Sequence, residues 1–343
     1  MRTQSGVATK ACFMGERHEP TARHEGHDET MFTPCRSSTQ VSVGLVGGLV
    51  LVAAIGVQVP QAQPGTPEQA VAELIAADRA FSKASAQQEL VAGLSAMFAG
   101  DVVMPVPGAT FARGAAAAAA ALRGNPDHEG ARAKWTPVRG GISADGHHGF
   151  TFGYMTITRA TGAKLPAKYL AYWIRKPEGW RVAVYRRSPA DEAPPSIEMM
   201  PPSLPDRLVP VSTDTHAIAR FRDSLDAAER AFSGEAQKIG IGRAFVKYGS
   251  ADAINLGPAS ESAVTVGSEA IGRAVGAGSP PNGSSVTWAP DSVIVSSSGD
   301  LGVTIGEITP NRPGPDGRTR PPIPFFTIWR RASVTDPWRY IAE

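Results

Sequence analysis

The chain has 343 residues, 42% of them hydrophobic and 19% charged, with 36 glycines and 29 prolines. Those proportions fit a folded protein with many turns and exclude a disordered or fibrous chain. A formal net charge of +2, spread along the sequence, leaves no basic footprint for nucleic acid.

Residues 1–40 show no hydrophobic periodicity and hold three of the seven histidines, and Met31 is a candidate start. Residues 1–30 therefore read as a leader that is untranslated or disordered. An apolar stretch runs from Val43 to Val57, preceded by Arg36 and followed by Pro60-Gln61-Ala62-Gln63. Residues 31–62 are thus expected to be a signal peptide cleaved after Ala62, or an uncleaved N-terminal anchor. The first reading gives an exported protein, periplasmic or extracellular; the second attaches it to a membrane through this segment alone. Cys12 and Cys35 both lie here. The mature chain of about 280 residues then has no disulfide, thiol nucleophile or thiolate metal ligand, and has room for two domains.

Thr66-Pro67-Glu68-Gln69 supplies a capping residue, a proline at the first helical position and a glutamine three residues after the cap. Val71, Leu74, Ile75 and Phe81 follow at helical spacing, which predicts a helix to about Gln87. A second helix is predicted over 89–99, a strand from about Asp101, a turn at Pro107-Gly108 and a short alanine-rich helix over 114–122. The period then changes. Segments 135–142, 148–158, 166–176 and 180–185 alternate apolar with polar residues and are separated by turn signals such as Asp145-Gly146 and Glu178-Gly179. Helices first and a meander afterwards predict an α+β domain over 67–187, its helices packed on one face of a curved antiparallel sheet. Residues 188–213 carry Pro189, Pro194, Pro195, Pro201, Pro202, Pro205 and Pro210, a semi-rigid linker.

The order then repeats over 214–343. Ala77-Asp78-Arg79-Ala80-Phe81-Ser82 returns as Ala228-Glu229-Arg230-Ala231-Phe232-Ser233, and Trp135-Thr136-Pro137 as Trp288-Ala289-Pro290. Gly149-Phe150-Thr151-Phe152-Gly153 returns as Gly302-Val303-Thr304-Ile305-Gly306, and Trp173 and Trp180 are answered by Trp329 and Trp338. The offset grows from 151 at Phe81/Phe232 to 158 at Trp180/Trp338, so the copies differ by short loop insertions. Such a period is several times that of a solenoid repeat. Each copy is a whole domain.

A first helix with Asp/Glu-x-x-Phe, a Gly-Ala-rich third helix, Trp-x-Pro, a Gly-x-x-x-Gly strand and closing strands with two tryptophans together resemble the SnoaL-like, nuclear-transport-factor-two-like superfamily. The likeness is to its bacterial branch of unassigned function and covers nearly all of the mature chain, as two tandem cone-shaped domains with about three helices each. Enzymes of that superfamily, ketosteroid isomerase-like and dehydratase-like, work inside the cone. Carrying over the isomerase's base position, five residues beyond the aspartate opening the strand after the second helix, lands on Val106 from Asp101 and on Gly257 from Asp252. Neither can act as a base.

Asp78 and Glu229 hold matching places on the first helix of each copy, three residues before Phe81 and Phe232 and so on the same face. They are the candidate catalytic acids, either buried with raised pKa or paired with Arg79, Arg113 or another arginine, or solvated at the rim. Met104, Trp135 and Tyr169 are candidate pocket walls, whereas Trp173 and Trp180, kept in both copies, read as core. Asp101 and Asp252 read as turn or capping residues. His128, His147 and His148 read as solvated loop residues, and no spacing supports a metal site. No phosphate loop, dinucleotide glycine pattern or nucleophile elbow is present, so no cofactor is expected.

Two functions remain. The first is a non-catalytic module whose cones hold a small apolar ligand or whose open sheet faces pack on each other or on a second chain; the second is a cofactor-free lyase or isomerase on a small hydrophobic substrate. The duplication itself is expected to form an internal pseudo-dimer. Gly276 to Ser285 and Pro310 to Pro322 are candidate mouth loops of the second cone, which makes one cone functional and the other a support.

Overall fold

The computed structural model describes residues 65–106, 110–314 and 316–343. The leader, the apolar segment 43–57 and the Pro107-Gly108 turn lie outside the described residues.

Helix α1 (Pro67–Ser85) opens on the expected capping box: the Gln69 amide donates to Thr66 Oγ1 at 3.3 Å, and the Thr66 amide donates to Gln69 Oε1 at 3.2 Å. Its buried stripe is Val71, Leu74, Ile75, Asp78 and Ser82. Then come α2 (Leu90–Ser95), β1 (Phe98–Pro105), β2 (Phe111–Arg113) and α3 (Ala115–Arg123), a 3-10 turn at Pro126–His128, and the meander β3 (Arg132–Ile142), β4 (His148–Thr158), β5 (Lys164–Lys176) and β6 (Gly179–Pro189). Copy two repeats this as α4 (Thr215–Ile239), α5 (Ile241–Tyr248), β7 (Gly249–Asn255), β8 (Thr265–Val266), α6 (Ser268–Gly276), β9 (Val286–Val295), β10 (Leu301–Pro310), β11 (Ile323–Arg330) and β12 (Arg339–Ala342).

The two sheets have the same order, β2-β1-β6-β5-β4-β3 and β8-β7-β12-β11-β10-β9. Both are mixed, which corrects the antiparallel expectation: β1 runs parallel to β6, and β7 parallel to β12. This pairing also shortens the second helix. Leu90, Leu94, Met97 and Phe98 keep a helical burial period, but the backbone at 97–98 is taken by the sheet, where the Val182 amide donates to the Met97 carbonyl at 2.8 Å. Asp101 and Asp252 consequently sit inside β1 and β7 as exposed strand residues rather than as caps.

Period-two alternation splits each sheet between two cores. On β5, Tyr169, Ala171 and Trp173 face the helices of copy one, while Leu170 and Tyr172 face the other way. On β11, Phe325 and Trp329 face the helices of copy two, while Phe326 and Ile328 face away. The outward residues of both sheets form one shared cluster, with Phe150, Phe152, Leu170 and Tyr172 against Val303, Ile305, Phe326 and Ile328. Polar contacts frame it. The Asp145 carboxylate accepts from the Ser297 amide and hydroxyl at 2.7 and 2.8 Å, Asp300 accepts from the Ala144 amide at 3.0 Å, and Arg139 pairs with Asp252. Lys168, fully buried, donates to the carbonyls of Leu256, Pro258 and Ala263.

The proline-rich segment is tied down along β3, the last strand of its sheet. The Met200 amide donates to the Val138 carbonyl at 2.7 Å, and the Ser203 amide donates to the Gly140 carbonyl at 2.9 Å. An edge that would otherwise offer unpaired backbone groups is thereby covered.

Candidate functional site

The repeated hexapeptide on the first helix of each copy is a clamp on the first strand of the meander. In copy one, Ser82 Oγ accepts from the Trp135 amide at 2.8 Å and donates to its carbonyl at 2.6 Å, while Trp135 Nε1 donates to Asp78 Oδ1 at 2.5 Å. Copy two repeats this grip. The Trp288 amide donates to Ser233 Oγ at 2.9 Å, and Trp288 Nε1 donates to Glu229 Oε1 at 2.6 Å. Residues four apart on one helix face thus hold one tryptophan at its backbone and at its ring.

Asp78 and Glu229 are both wholly buried, and among the described residues neither forms an ion pair with an arginine. Arg79 reaches Met199, and Arg113 lies over Phe111. Asp78 Oδ2 accepts from the Tyr169 hydroxyl at 2.7 Å. Glu229 Oε2 accepts from Thr304 Oγ1 at 2.5 Å and Trp329 Nε1 at 2.9 Å. Burial outweighs these donors and raises both pKa values, that of Glu229 to about 6.

The surroundings of the two acids differ. In copy one Met104, Trp135 and Tyr169 belong to the buried core, and Tyr169 stacks on Tyr185 with ring centroids 6.5 Å apart. Those three expected pocket walls therefore face packed side chains. Trp173 and Trp180 lie in the same core. In copy two, a cavity of about 230 Å³ opens beside Glu229, walled by Phe232, Ile241, Phe245, Val275, Trp288 and Phe325, with Asn255, Glu343 and Arg186 as polar lining. Val275 and Val286, which flank the expected mouth loop Gly276 to Ser285, line this cavity, and its lining includes no residue of the loop itself.

Three substitutions between the copies accompany the cavity. Register equates Tyr169, opposite Gly153, with Phe325, opposite Gly306. Equal spacing from Trp180 and Trp338 equates Tyr185 with Glu343. The residue after the β1 and β7 partners Val103 and Ile254 equates Met104 with Asn255. One hydroxyl is lost, and an aromatic and a thioether side chain give way to shorter polar ones. Asn255 Nδ2 donates to Glu343 Oε1 at 2.5 Å, and Asn255 Oδ1 accepts from the Gly257 amide at 2.6 Å. Burial, helped by the nearby Glu229, pushes the Glu343 carboxyl up to about 7 against the opposing pull of Arg186.

Arg186 comes from β6 of copy one, on the face opposite its own helices, and reaches the cavity of copy two. Sequence reading missed Arg186, Asn255 and Glu343. The latter two were legible as polar residues at positions apolar or aromatic in copy one; nothing in the sequence marks Arg186.

The histidines are less exposed than expected. His128 is buried, with Nδ1 2.6 Å from the Leu122 carbonyl and Nε2 2.8 Å from Arg187 Nη2; burial lowers its pKa. His148 Nδ1 lies 3.0 Å from the Tyr172 hydroxyl, and burial lowers its pKa too. Among the described residues no group of three or more His, Cys, Asp or Glu side chains could hold a metal ion. No described helix is long and apolar enough to cross a membrane.

No protein-family model matches the chain, and a comparison with curated proteins finds no match either. Solved structures do resemble it. An NTF2-like protein with a cystatin-like fold from Novosphingobium aromaticivorans is 19% identical, with 34% of this chain and 79% of that one covered and a TM-score of 0.28. A ketosteroid isomerase-like protein from Erwinia carotovora atroseptica is 21% identical, with 35% and 95% covered and a TM-score of 0.28. A domain of unknown function with a cystatin-like fold from Nostoc punctiforme is 14% identical, with 34% and 76% covered and a TM-score of 0.29. Two of these neighbours are described as having a cystatin-like fold and one as ketosteroid isomerase-like.

Proposed function

We propose that the second copy is a binding domain for a small, mostly apolar molecule, that the first copy supports it as the other half of a pseudo-dimer, and that the protein is exported. The observation that carries the binding reading is the cavity beside Glu229, lined by Phe325, Asn255 and Glu343, whereas their counterparts Tyr169, Met104 and Tyr185 are buried in the hydrophobic core of copy one. Its volume of about 230 Å³ exceeds the roughly 150 Å³ of an engineered apolar cavity that takes up benzene. Export rests on the apolar segment 43–57 with its basic flank.

Restoring the residues of copy one tests the binding reading. The double variant Asn255→Met/Glu343→Tyr should fill the cavity. Benzene should raise the melting temperature of the native protein by a few degrees through mass action and leave the filled variant unmoved. An equal shift in both proteins, or none in the native one, removes this cavity as the binding site.

A second reading has its own observation. Carboxyls pushed up to about 7 at Glu343 and about 6 at Glu229 are poised to exchange protons near neutral pH, as cofactor-free lyase or isomerase chemistry requires. Glu343 is the acid or base in that reading, since both oxygens of Glu229 are already engaged. Isomerisation of 3-cyclohexenone to its conjugated isomer, followed by absorbance, should then slow at least about 100-fold in Glu343→Gln. Equal rates in the two proteins, or no turnover above buffer, decide against catalysis on this substrate class.

A further inference from the structure

Arg186 lines the cavity of the second copy, yet among the described residues its guanidinium has neither a hydrogen-bond nor a salt-bridge partner. The other polar groups there are largely spoken for. Glu229 accepts three hydrogen bonds, and Asn255 is held between Glu343 and the Gly257 amide. Glu343 uses Oε1 for Asn255, and among the described residues Oε2 has no hydrogen-bond partner. Burial disfavours the Arg186 charge and the ionised Glu343 carboxylate offsets it, so protonation of Glu343 takes that counter-charge away. Its planar donor fork matches a carboxylate, and such charge-assisted pairs are among the stronger hydrogen bonds.

We propose that the cavity takes a small apolar monocarboxylic acid, its carboxylate paired with Arg186 of the first copy and its hydrocarbon part held against Phe232, Phe245 and Phe325 of the second. This rests on the binding reading above and gives the ligand class. It also gives the duplication a chemical role: the site in one copy is incomplete without a residue of the other. Glu343 Oε2, when protonated, donates to the second carboxylate oxygen, as the neutral acid beside the anion. The titratable groups that bear on Glu343 are Arg186 from β6 and Glu229 from α4, with Tyr340 on β12 three residues before it. Ionisation of Glu343 both neutralises Arg186 and repels the bound anion. Affinity for the carboxylate therefore falls as pH rises.

The probes are cyclohexanecarboxylate and its uncharged analogue cyclohexanecarboxamide, titrated calorimetrically into the full chain. The carboxylate should bind at least tenfold more tightly than the amide at pH 6, the gain of a charged over a neutral hydrogen-bonded contact. That preference should fall about tenfold between pH 6 and pH 8, across the protonation of Glu343 near pH 7. Arg186→Gln should bring the carboxylate down to the affinity of the amide, with an unchanged circular dichroism spectrum as the folding control. If this variant does not fold, the acid-to-amide ratio of the native protein and its pH dependence decide alone. Equal binding of both probes, or a carboxylate affinity flat between pH 6 and 8, overturns the anion site and leaves the binding reading standing. Failure of both probes to bind overturns the two together.

Discussion

At the scale of single residues, the contrast between Asp78 and Glu343 separates a structural acid from one available to a ligand. Asp78 is enclosed, and each of its oxygens is met by a donor from the sheet, so its raised pKa records the cost of holding a tryptophan and a tyrosine in place. Glu343 lines a cavity, and its Oε1 is held by Asn255. Its carboxyl is pushed up to about 7 from an ordinary value of 4.5, so the folded protein binds a proton that the unfolded chain has already released. The stability this contributes is present in full below pH 4.5 and is lost as pH rises through 7, a difference of about 3 kcal/mol at most, reduced by water in the cavity. Glu343→Gln keeps an acceptor for Asn255 and has no charge to desolvate. Chemical denaturation should find it as stable as the native protein at pH 4.5 and about 2 kcal/mol more stable at pH 8. A variant equally stable or less stable at pH 8 would place the Glu343 carboxylate in a better-solvated setting.

At the scale of elements, the Trp-x-Pro and Gly-x-x-x-Gly motifs turn out to be two sides of one device. Gly153 pairs with Pro137, and Gly306 with Pro290, each beside a break in register that marks a bulge. A β-carbon at Gly306 would come within 2.0 Å of the Ala289 carbonyl oxygen, and one at Gly153 within 2.2 Å of the Thr136 carbonyl oxygen. Backbone cannot retreat as a flexible side chain can, so glycine is required for the strands to approach and bend here. Gly306→Ala should cost about 2 kcal/mol or more and lower the melting temperature by several degrees. An unchanged melting temperature would mean that the strand moves aside freely. This much was legible because turn, cap and glycine chemistry are local and because the chain states everything twice. The parallel pairing of β1 with β6 was not legible. It depends on strands some eighty residues apart, and the helical burial period of 90–98 gives no sign that the sheet has claimed the backbone at Phe98. The cavity was half legible: Tyr185/Glu343 and Met104/Asn255 stand in matching places of the two copies, but only the packing shows that their difference is space.

At the scale of the whole molecule, duplication changes what counts as interior. Phe150, Phe152, Leu170 and Tyr172 would form an apolar outer face on an isolated copy, and here they are wholly buried against the other sheet. Lys168 and Arg139 cross the same boundary to backbone carbonyls and a carboxylate of copy two. A folded copy is therefore stabilised by its neighbour as well as by its own helices, and the two should unfold as one cooperative unit. Phe152→Ala removes a ring buried between the sheets and should cost about 3 to 5 kcal/mol. If the copies are coupled, amide exchange will accelerate in β10 and β11 of copy two as well as in β4 and β5, and calorimetry will show a single transition moved to lower temperature. Faster exchange confined to copy one, with a second transition left at its original temperature, would mean that the copies stand alone. Arg186 could then be carried to the second cavity only by a contact weaker than the folding of either half.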